Sequence, residues 1–454
     1  TVVIGGLITA TLLTLLLLPT LYIALEKRKF KKIMKITPLL LMALSFAHGT
    51  GLKAQSATQE PRFVTLQQAL DSATEHNLRL QQSRLLSNAA QQQSISRWSP
   101  DPLSATFEKG QVNSWYQDQK LGVSQAIAMP QYYRAEYRLR KSMAEVMKFQ
   151  YGLQSLQVKQ SVALLFHHLQ HTQEQFALWR ALDSIAQENL TQMQWRMKQG
   201  DVDALSLNDS KKLAADIHRR YQQLLQLYES DALELGAWMG LSAKVYPTAM
   251  ANPANEGAAV TLLSLGDMPQ TASQQVARAQ VDMSYQAWML AKAQRLPAVQ
   301  LGWVQQSFQG VQQLPSGDQF FDQRMQFSQY QVGLKIPVLG SANRRKAASM
   351  KIEYQAALAS QQFVSQQAQL RFEQLKMALA FWDEQIQQYR TVLLPAAEEQ
   401  VQLLSLRRDK GEISGFEWGV YLREAMQTQI DFYDAVHQWE SVQIELQYFN
   451  PTIQ

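Results

Sequence analysis

Cysteine is absent from this sequence of 454 residues, which excludes a disulfide framework and metal sites built from thiolates. Signatures of catalysis are also missing. Serine, histidine and aspartate occur without a nucleophile elbow, and there is no glycine-rich phosphate loop. We therefore expect a protein that is not an enzyme and that carries neither a cofactor nor a bound metal.

An excess of positive charge is absent outside one short segment. Residues 26–35 hold six basic residues and one acidic residue, so their net charge is +5. This is also the net charge of the whole chain. The remainder has no excess of positive charge to attract a phosphate backbone. A basic run between two apolar segments favours a membrane-orientation signal, so we expect no nucleic-acid partner.

Dense apolar runs are confined to the beginning of the sequence. Thr1 to Leu25 carries no charge and is long enough to cross a bilayer, which takes about 20 apolar residues. We interpret residues 1–26 as a transmembrane helix, with a buried core helix as the alternative, and residues 27–36 as a basic cytoplasmic loop. Residues 37–60 form a signal-like or second membrane segment and a linker. They are either an uncleaved helix that returns the chain to the periplasm or a signal peptide cut near Ala54.

The first apolar run contains three distinctive groups of residues: Gly5-Gly6-Leu7, Ala10-Thr11-Leu12, and Leu18-Pro19 followed by Tyr22. In these groups it resembles the final transmembrane helix of resistance-nodulation-division transporters, above all their heavy-metal efflux branch. The resemblance implies that the chain is fused to, or preceded by, the last helix of such a pump. Residues 1–47 would then lie in the inner membrane if the fusion is retained.

The rest of the sequence contains an internal repeat. The aligned pairs are Gly200-Asp201-Val202 with Gly411-Glu412-Ile413 and Gly122-Val123 with Gly333-Leu334, each 211 residues apart, and Ser99-Pro100 with Leu296-Pro297, 197 apart. A constant offset interrupted by one insertion indicates a duplicated fold with one longer loop. We place the first repeat at residues 61–240, an inter-repeat segment at 241–269, and the second repeat at 270–450.

Both repeats predict the same order of elements. A helix comes first (66–97 and 270–295), then two short extended runs joined by polar loops (110–118 and 309–325). A very long helix follows (131–199 and 341–410), and a glycine turn leads to a returning helix (203–239 and 414–447). The extended runs of the second repeat alternate between unlike faces, and the apolar face holds Val299, Leu301, Trp303, Tyr330, Val332, Leu334 and Ile336.

Neither the strands nor the long helices can bury themselves within one chain. Four strands are too few to close a barrel, and an open sheet edge is not tolerated in lipid. A helix of about 69 residues spans about 104 Å and needs neighbours along its length. We therefore expect a mainly α protein with a small membrane β part, in which several chains build a long α-helical barrel joined to a transmembrane β-barrel.

A set of short motifs accompanies this layout: Leu66-Gln67-Gln68-Ala69-Leu70, Ala128-Met129-Pro130, Ile336-Pro337, Leu394-Pro395-Ala396 and the two glycine turns. With these motifs, residues 61–450 resemble the TolC-like outer-membrane factors. The resemblance implies a homotrimer with a twelve-stranded barrel in the outer membrane and a helical tunnel in the periplasm. It also implies a passive exit duct of a tripartite efflux system for metal cations or drugs.

The partners implied by this resemblance are a membrane-fusion adaptor, an inner-membrane resistance-nodulation-division pump and the lipid bilayer. The alternative is a periplasmic coiled-coil adaptor or scaffold protein without a pore. Adaptors carry one helical hairpin and show no duplication, so the repeat favours the channel.

The glycine turns are the first candidate site, as periplasmic tips that contact an adaptor or form a gate. The residues proposed for this role are Gly200, Asp201, Asp203, Arg408, Gly411 and Glu412. In a closed trimer, these acids together with Asp209 would form rings that favour cations; the alternative is ordinary helix capping. Arg407, Arg408 and Lys410 either pair with the acids across subunits or complement a helix C-terminus.

Two further groups allow two interpretations each. Trp115, Tyr116, Phe320 and Phe321 lie near the hairpin loops and belong either to an aromatic girdle at the membrane interface or to loop packing. His167, His168 and His171 include an i, i+4 pair, a spacing that can hold a metal ion. Because no third ligand is evident, we favour solvated or interhelix polar residues.

Overall fold

The computed structural model describes residues 62–111, 116–248, 268–322, 324–336, 341–410 and 412–449. The interpretations of residues 1–26, 27–36 and 37–60, including the transmembrane helix, lie outside these residues. Among the helices that the structure does describe, none is both long enough and apolar enough to cross a membrane.

The first described elements are a short strand and two helices. They are β1 (Arg62–Val64), α1 (Leu66–His76) and α2 (Leu78–Ile95). We expected one helix over 66–97, but the structure breaks it at Asn77. The Asn77 Oδ1 accepts hydrogen bonds from the N–H groups of Arg79 (3.0 Å) and Leu80 (3.3 Å). An asparagine in this position caps a new helix, so one side chain accounts for the break.

Two antiparallel strands and a pair of long helices complete the first half. They are β2 (Ser104–Gly110), β3 (Asp118–Ala128), α3 (Pro130–Gln199) and α4 (Ala204–Trp238). Pro130 opens α3, as expected for a residue that needs no N–H partner at the first helical position. At 70 residues, α3 is about 105 Å long. The strand β4 (Val245–Pro247) then pairs in parallel with β1.

The second half begins with a helix and four strands: α5 (Ala272–Ala293), β5 (Ala298–Ser307), β6 (Gly310–Leu314), β7 (Gly317–Phe321) and β8 (Gln326–Lys335). We expected only a polar loop over residues 309–325. That expectation was wrong, because β6 and β7 form a small hairpin there. Gly317 follows the turn with a φ of 111°, a conformation that glycine adopts without strain and that a tight hairpin needs.

The remaining elements are helical: α6 (Ser341–Gln388), a π-helical turn (Tyr389–Leu393), α7 (Leu394–Asp409) and α8 (Gly415–Phe449). We expected a very long helical stretch over 341–410 that contains Pro395 in its interior. The π-helical turn immediately precedes Pro395, which has no N–H and whose ring clashes with the carbonyl of Thr391 in a regular helix. A wider turn accommodates the proline.

Four of the strands form one antiparallel sheet in the order β2-β3-β5-β8. Apolar clusters follow the helices below the sheet. One lies where β1, α1, α3, α4 and β4 meet, a second joins α3, α4 and α8, and a third joins α6 and α8. The expectation of a mainly helical protein with a small β part is confirmed.

Candidate functional site

The four-stranded sheet has one apolar and one mainly polar face. Residues paired across an antiparallel ladder lie on the same face. One face, mainly apolar, carries the rows Phe107–Leu121–Gln305–Ser328, Ala105–Val123–Trp303–Tyr330, Gln125–Leu301–Val332 and Ile127–Val299–Leu334. The other face carries rows such as Thr106–Gly122–Val304–Gln329, Ser104–Ser124–Gly302–Gln331 and Ala126–Gln300–Gly333.

The apolar face is open to its surroundings in the protomer. Tyr330 is 82% exposed and Val332 79% exposed, far more than apolar side chains in a protein core. The candidate strand residues Val299, Leu301 and Trp303 lie on β5 and pair with Leu334, Val332 and Tyr330 of β8. Ile336 lies one residue beyond the end of β8 and is also exposed.

The two outer strands of the sheet each pair with a single neighbour within the described ranges, β2 with β3 and β8 with β5. The strands alternate in direction, so β2 and β8 run antiparallel to each other. Two such edges on an exposed apolar sheet leave backbone N–H and C=O groups available to further strands.

The first helix tip joins α3 to α4 by a tight turn. Gly200 ends α3 with a φ of 81°, in the left-handed conformation that glycine favours. The Asp203 carboxylate accepts a hydrogen bond of 2.9 Å from the N–H of Ser206 and caps α4. The hydrogen bonds from Ser206 lower the pKa of Asp203. Within this protomer Asp203 is therefore a capping residue, whereas the Asp201 side chain is exposed.

The second tip joins α7 to α8, and its Gly411 lies outside the described residues. Ser414 and Glu417 form a capping box, in which each side chain accepts the other's backbone N–H at 3.1 and 3.0 Å. These hydrogen bonds from Ser414 lower the pKa of Glu417. The Arg408 guanidinium lies 4.3 Å from the centre of the Trp418 ring, a cation–π contact. The Glu412 side chain is exposed.

The two tips are linked by a contact that the sequence analysis missed. The Asn189 Nδ2 on α3 donates a hydrogen bond of 2.7 Å to the carbonyl oxygen of Gly415. A Cβ at Gly415 or at Gly419 would lie within 3.2 Å of an Asn189 side-chain atom, so glycine permits the close approach. Glycines four residues apart on one helix face are the sequence feature that indicates such a crossing.

The aromatic residues of the loops pack on one another. Tyr116 and Phe320 meet edge to face with ring centroids 6.4 Å apart, and Phe321 contacts Phe327 at 5.4 Å. Trp115 lies outside the described residues. Loop packing is therefore observed within the protomer, and Tyr116 and Phe320 each remain about half exposed.

A cluster of three imidazoles and two carboxylates lies where α3, α4 and α8 meet. We call it the histidine cluster, and its members are His168, His171, Asp231, Asp434 and His437. The His168 Nδ1 lies 3.3 Å from the His437 Nε2, and the His171 Nε2 lies 2.9 Å from the Asp434 Oδ1. The His168 Nε2 faces the Asp231 Oδ2 at 3.3 Å. The rings of His171 and His437 are stacked, 4.6 Å apart and 8° from parallel.

Burial favours the uncharged forms of the groups in and around the cluster. Burial, reinforced by His171 and His168, lowers the pKa of His437 to about 4. Burial also lowers the pKa of His168 and raises that of Asp231, against the attraction between them. Desolvation therefore outweighs the ion pair at this position. Beside the cluster, burial and then Glu174 raise the pKa of Glu440 to about 7.

Only part of this cluster could be recognised from the sequence. His167, His168 and His171 lie on α3, but the side chains that complete the group, Asp231 and His437 among them, come from distant helices. No group of three or more potential ligands in the described parts of the chain is arranged to hold a metal ion. The favoured interpretation, polar residues between helices, fits His168 and His171.

No family model matches the sequence, and no curated protein sequence matches it. Solved structures do match the fold. A membrane protein from Pseudomonas aeruginosa aligns with a TM-score of 0.68 at 15% identity, over 85% of this chain and 90% of that chain. The Campylobacter jejuni CmeC outer membrane channel aligns with a TM-score of 0.67 at 14% identity, over 84% of both chains.

A third match is CusC, whose structures concern folding and transmembrane channel formation. It aligns with a TM-score of 0.67 at 14% identity, over 88% of this chain and 95% of that chain. At such identities the likeness establishes the fold. The chain therefore has the fold of outer-membrane channels such as CmeC and CusC, which confirms at the level of the fold the resemblance to TolC-like outer-membrane factors.

Proposed function

We propose that this protein is the outer-membrane channel of a tripartite efflux system and serves as a passive exit duct. The observation that carries this proposal is the four-stranded sheet, whose apolar face is exposed while both of its edges are available for pairing. A lipid bilayer is the environment in which an exposed apolar strand face is stable, provided that the sheet closes.

Three copies close the sheet without a new kind of contact. The edge strands β8 and β2 run in opposite directions, so β8 of one copy lies antiparallel to β2 of the next. Three sheets of four strands give twelve, an even number within the range of known membrane barrels. The apolar face then meets lipid and the polar face, with Gln300, Gln329 and Gln331, lines the lumen.

The helices support the same assembly. Phe363, Leu370 and Met377 of α6 lie seven residues apart and are 60%, 53% and 64% exposed. Apolar residues at this spacing form the seam of a coiled coil. A stripe of this kind on a helix of 48 residues is buried when the neighbouring copy packs along it. A pore-free adaptor would account for such a stripe but not for the sheet.

The remaining assignments follow from the proposal. The sheet lies in the outer membrane and the helices in the periplasm, with the two tips facing a membrane-fusion adaptor and an inner-membrane resistance-nodulation-division pump. The cargo is metal cations or drugs, and the resemblance of residues 1–26 to a heavy-metal efflux pump supports metal cations. Residues 1–47 lie in the inner membrane where that fusion is retained. The two repeats at 61–240 and 270–450 correspond to the two halves of the protomer.

Purified full-length chain in planar bilayers tests the proposal. We expect discrete single-channel conductance steps, and a trimer that migrates differently on a gel before and after heating because its barrel resists detergent. A chain that stays a monodisperse, water-soluble monomer and never conducts would overturn the proposal.

A further inference from the structure

The histidine cluster sits midway along the helices, between the apolar cluster around β1 and β4 and the apolar cluster nearer the tips. It joins α3 of the first half to α8 of the second, with α4 alongside. The π-helical turn lies at the same level, because its Tyr389 ring contacts Phe432 of α8 at 6.1 Å. A change in this cluster therefore acts where the helix pairs of the two halves meet.

Two of the three imidazoles have a carboxylate to balance a positive charge. His168 faces Asp231 at 3.3 Å and His171 faces Asp434 at 2.9 Å. The Asp434 Oδ1 also accepts a hydrogen bond of 2.7 Å from Gln175, which fixes its position. Each of these two imidazoles therefore has a carboxylate within ion-pair distance.

Within the described residues His437 forms no ion pair, and Asp434 only partly offsets the effects that lower its pKa. Its Nε2 meets the imidazole of His168, its ring is stacked on His171, and its Nδ1 is buried without a hydrogen-bond partner within the described residues. A neutral His437 satisfies this arrangement by donating its Nε2–H to the His168 Nδ1. The His168 Nε2 then lies 3.3 Å from the Asp231 Oδ2 without forming a hydrogen bond. A protonated His437 would place a second N–H against no acceptor and a positive charge between two imidazoles.

We infer from this geometry that the histidine cluster is a proton-sensitive joint, which holds α3 against α8 near neutral pH and releases them on mild acidification. The release follows when His437 leaves its place between His168 and His171, because only a solvated His437 accommodates the extra proton. This inference concerns the movement of two helices within one chain and does not depend on the chain forming a pore.

The sign of the effect follows from proton linkage. The pKa of His437 is about 4 in the closed joint against an ordinary value of 6.5. Between these values the separated arrangement binds a proton that the closed joint does not, so falling pH favours separation, by up to roughly 300-fold over the full difference between the two pKa values. His167 and His168, whose pKa values are also lowered by burial, act in the same direction.

The carboxyl groups around the joint act in the opposite direction. Asp231 of α4, Glu174 of α3 and Glu440 of α8 have pKa values raised mainly by burial, so their protonation favours the closed joint. With a pKa of about 7, Glu440 is already largely neutral when the pH reaches about 6. Its opposing contribution builds up as the pH falls from 7 to 4.5, the ordinary value of a solvated glutamate, and offsets part of the effect of His437 over that range. The phenols of Tyr389 and Tyr433, with raised pKa values, stay neutral throughout this range.

The absence of cysteine allows a direct distance measurement. Spin labels at Gln187→Cys on α3 and Arg423→Cys on α8, both exposed positions on the tip side of the cluster, report the separation of the two helices in the full chain. Labelled chains are diluted among unlabelled ones, so that only distances within a chain contribute. We expect the distance to increase and its distribution to broaden by electron spin resonance between pH 7.5 and pH 5.

Substitutions at His437 distinguish the effect of its protonation from the effect of its packing. His437→Phe keeps an aromatic ring against His171 but cannot bind a proton, and it should remove most of the response, leaving only the part due to His167 and His168. If that variant does not fold, His437→Gln serves the same purpose. His218→Gln is the matched control, since His218 pairs with Asp183 between α3 and α4 on the exposed surface, and it should respond as the parent does.

Equal distances at both pH values in the parent chain would overturn the inference. So would a pH response of undiminished size in both His437 variants. A chain that shows the distance change but no conductance would contradict the proposed channel function while supporting the joint.

Discussion

The side chain of Asn189 on α3 is hydrogen-bonded to the backbone of Gly415 on α8, with 2.7 Å between the Asn189 Nδ2 and the Gly415 carbonyl oxygen. Asn189 is only 8% exposed. The bond fastens the tip of the first half to the tip of the second, and a Cβ at Gly415 would lie 2.7 Å from the Asn189 Oδ1. A side chain at position 415 would therefore have to displace the Asn189 amide.

Removing the amide should loosen the tips. Asn189→Ala deletes a buried hydrogen bond, which contributes about 1 kcal/mol to the free energy of unfolding, and leaves a small void beside α8. We expect a lower midpoint of thermal unfolding and faster protease cleavage between α7 and α8. Thr191→Ala is the control, because Thr191 is exposed and bonds only to the Gln187 carbonyl of its own helix. Equal midpoints for both variants would contradict the role given to Asn189.

Two neighbouring residues of β8 test which face of the sheet meets lipid. Val332 lies on the apolar face, paired with Leu301, and Gln331 lies on the polar face, paired with Gly302. Val332→Arg should cost about 2–4 kcal/mol if the residue lies at mid-membrane, whereas Gln331→Arg should leave folding intact and alter ion selectivity. The yield of heat-modifiable trimer measures the difference. Similar yields from both variants would argue against a lipid-facing apolar surface.

Capping by Asp203 should be visible in the exchange of a single backbone amide. Asp203→Ala removes the acceptor of the Ser206 N–H, so hydrogen exchange at the start of α4 should accelerate several-fold. Because hydrogen bonding lowers the pKa of Asp203 below its ordinary value of 3.8, the stabilisation is complete above that pH and is lost as the pH falls below it. Asp201→Ala should leave this exchange unchanged; acceleration in both variants would show a general fraying of the tip.

The order of helices and strands could be predicted because its determinants are local. Pro130 and Gly200 mark the two ends of α3. The alternation of apolar and polar residues along β5 and β8 predicts which face of the sheet each residue occupies. The break between α1 and α2 and the π-helical turn between α6 and α7 were not predicted, for a related reason. Asn77 and Pro395 were visible in the sequence, but whether such a residue breaks, bends or is tolerated in a helix depends on the packing around it.

The contacts between helices could not be predicted in the same way. Asn189 and Gly415 are 226 residues apart, and His168 and His437 are 269 apart. Periodicity assigns each residue to a face of its own helix, but it does not give the neighbour or the register of that face. The histidines of α3 were therefore recognised, whereas their partner on α8 was not.

The acids at the tips give a prediction about conduction. Asp201 and Glu412 have exposed side chains, and in a trimer three copies of each would form rings near the mouth that attract cations and narrow it. Replacing both with alanine should raise the single-channel conductance and weaken cation selectivity. The helix-capping Asp203 is left in place so that the turn itself is preserved. Unchanged conductance and selectivity would remove this role from the two acids.

Glu440 gives a pH dependence of stability with a definite sign. Its pKa is raised from 4.5 to about 7, first by burial and then by Glu174, so the folded chain binds a proton more tightly than the unfolded chain does. The resulting stabilisation is complete below pH 4.5 and is lost as the pH rises through 7. Glu440→Gln keeps the shape of the neutral acid without titrating, so it should be more stable than the parent by about 2 kcal/mol at pH 8.

At pH 4.5 the same variant should match the parent, because Glu440 is then neutral in the folded chain. Unfolding in denaturant at a series of pH values measures both points. Glu445→Gln is the comparison, since Glu445 lies on the same helix in an ion pair with Arg371 at the surface, and its loss should not produce a gain at pH 8. If Glu440→Gln were no more stable than the parent at pH 8, the carboxylate would already be well solvated. The burial of Glu440 between α3 and α8 would then not be what holds its proton.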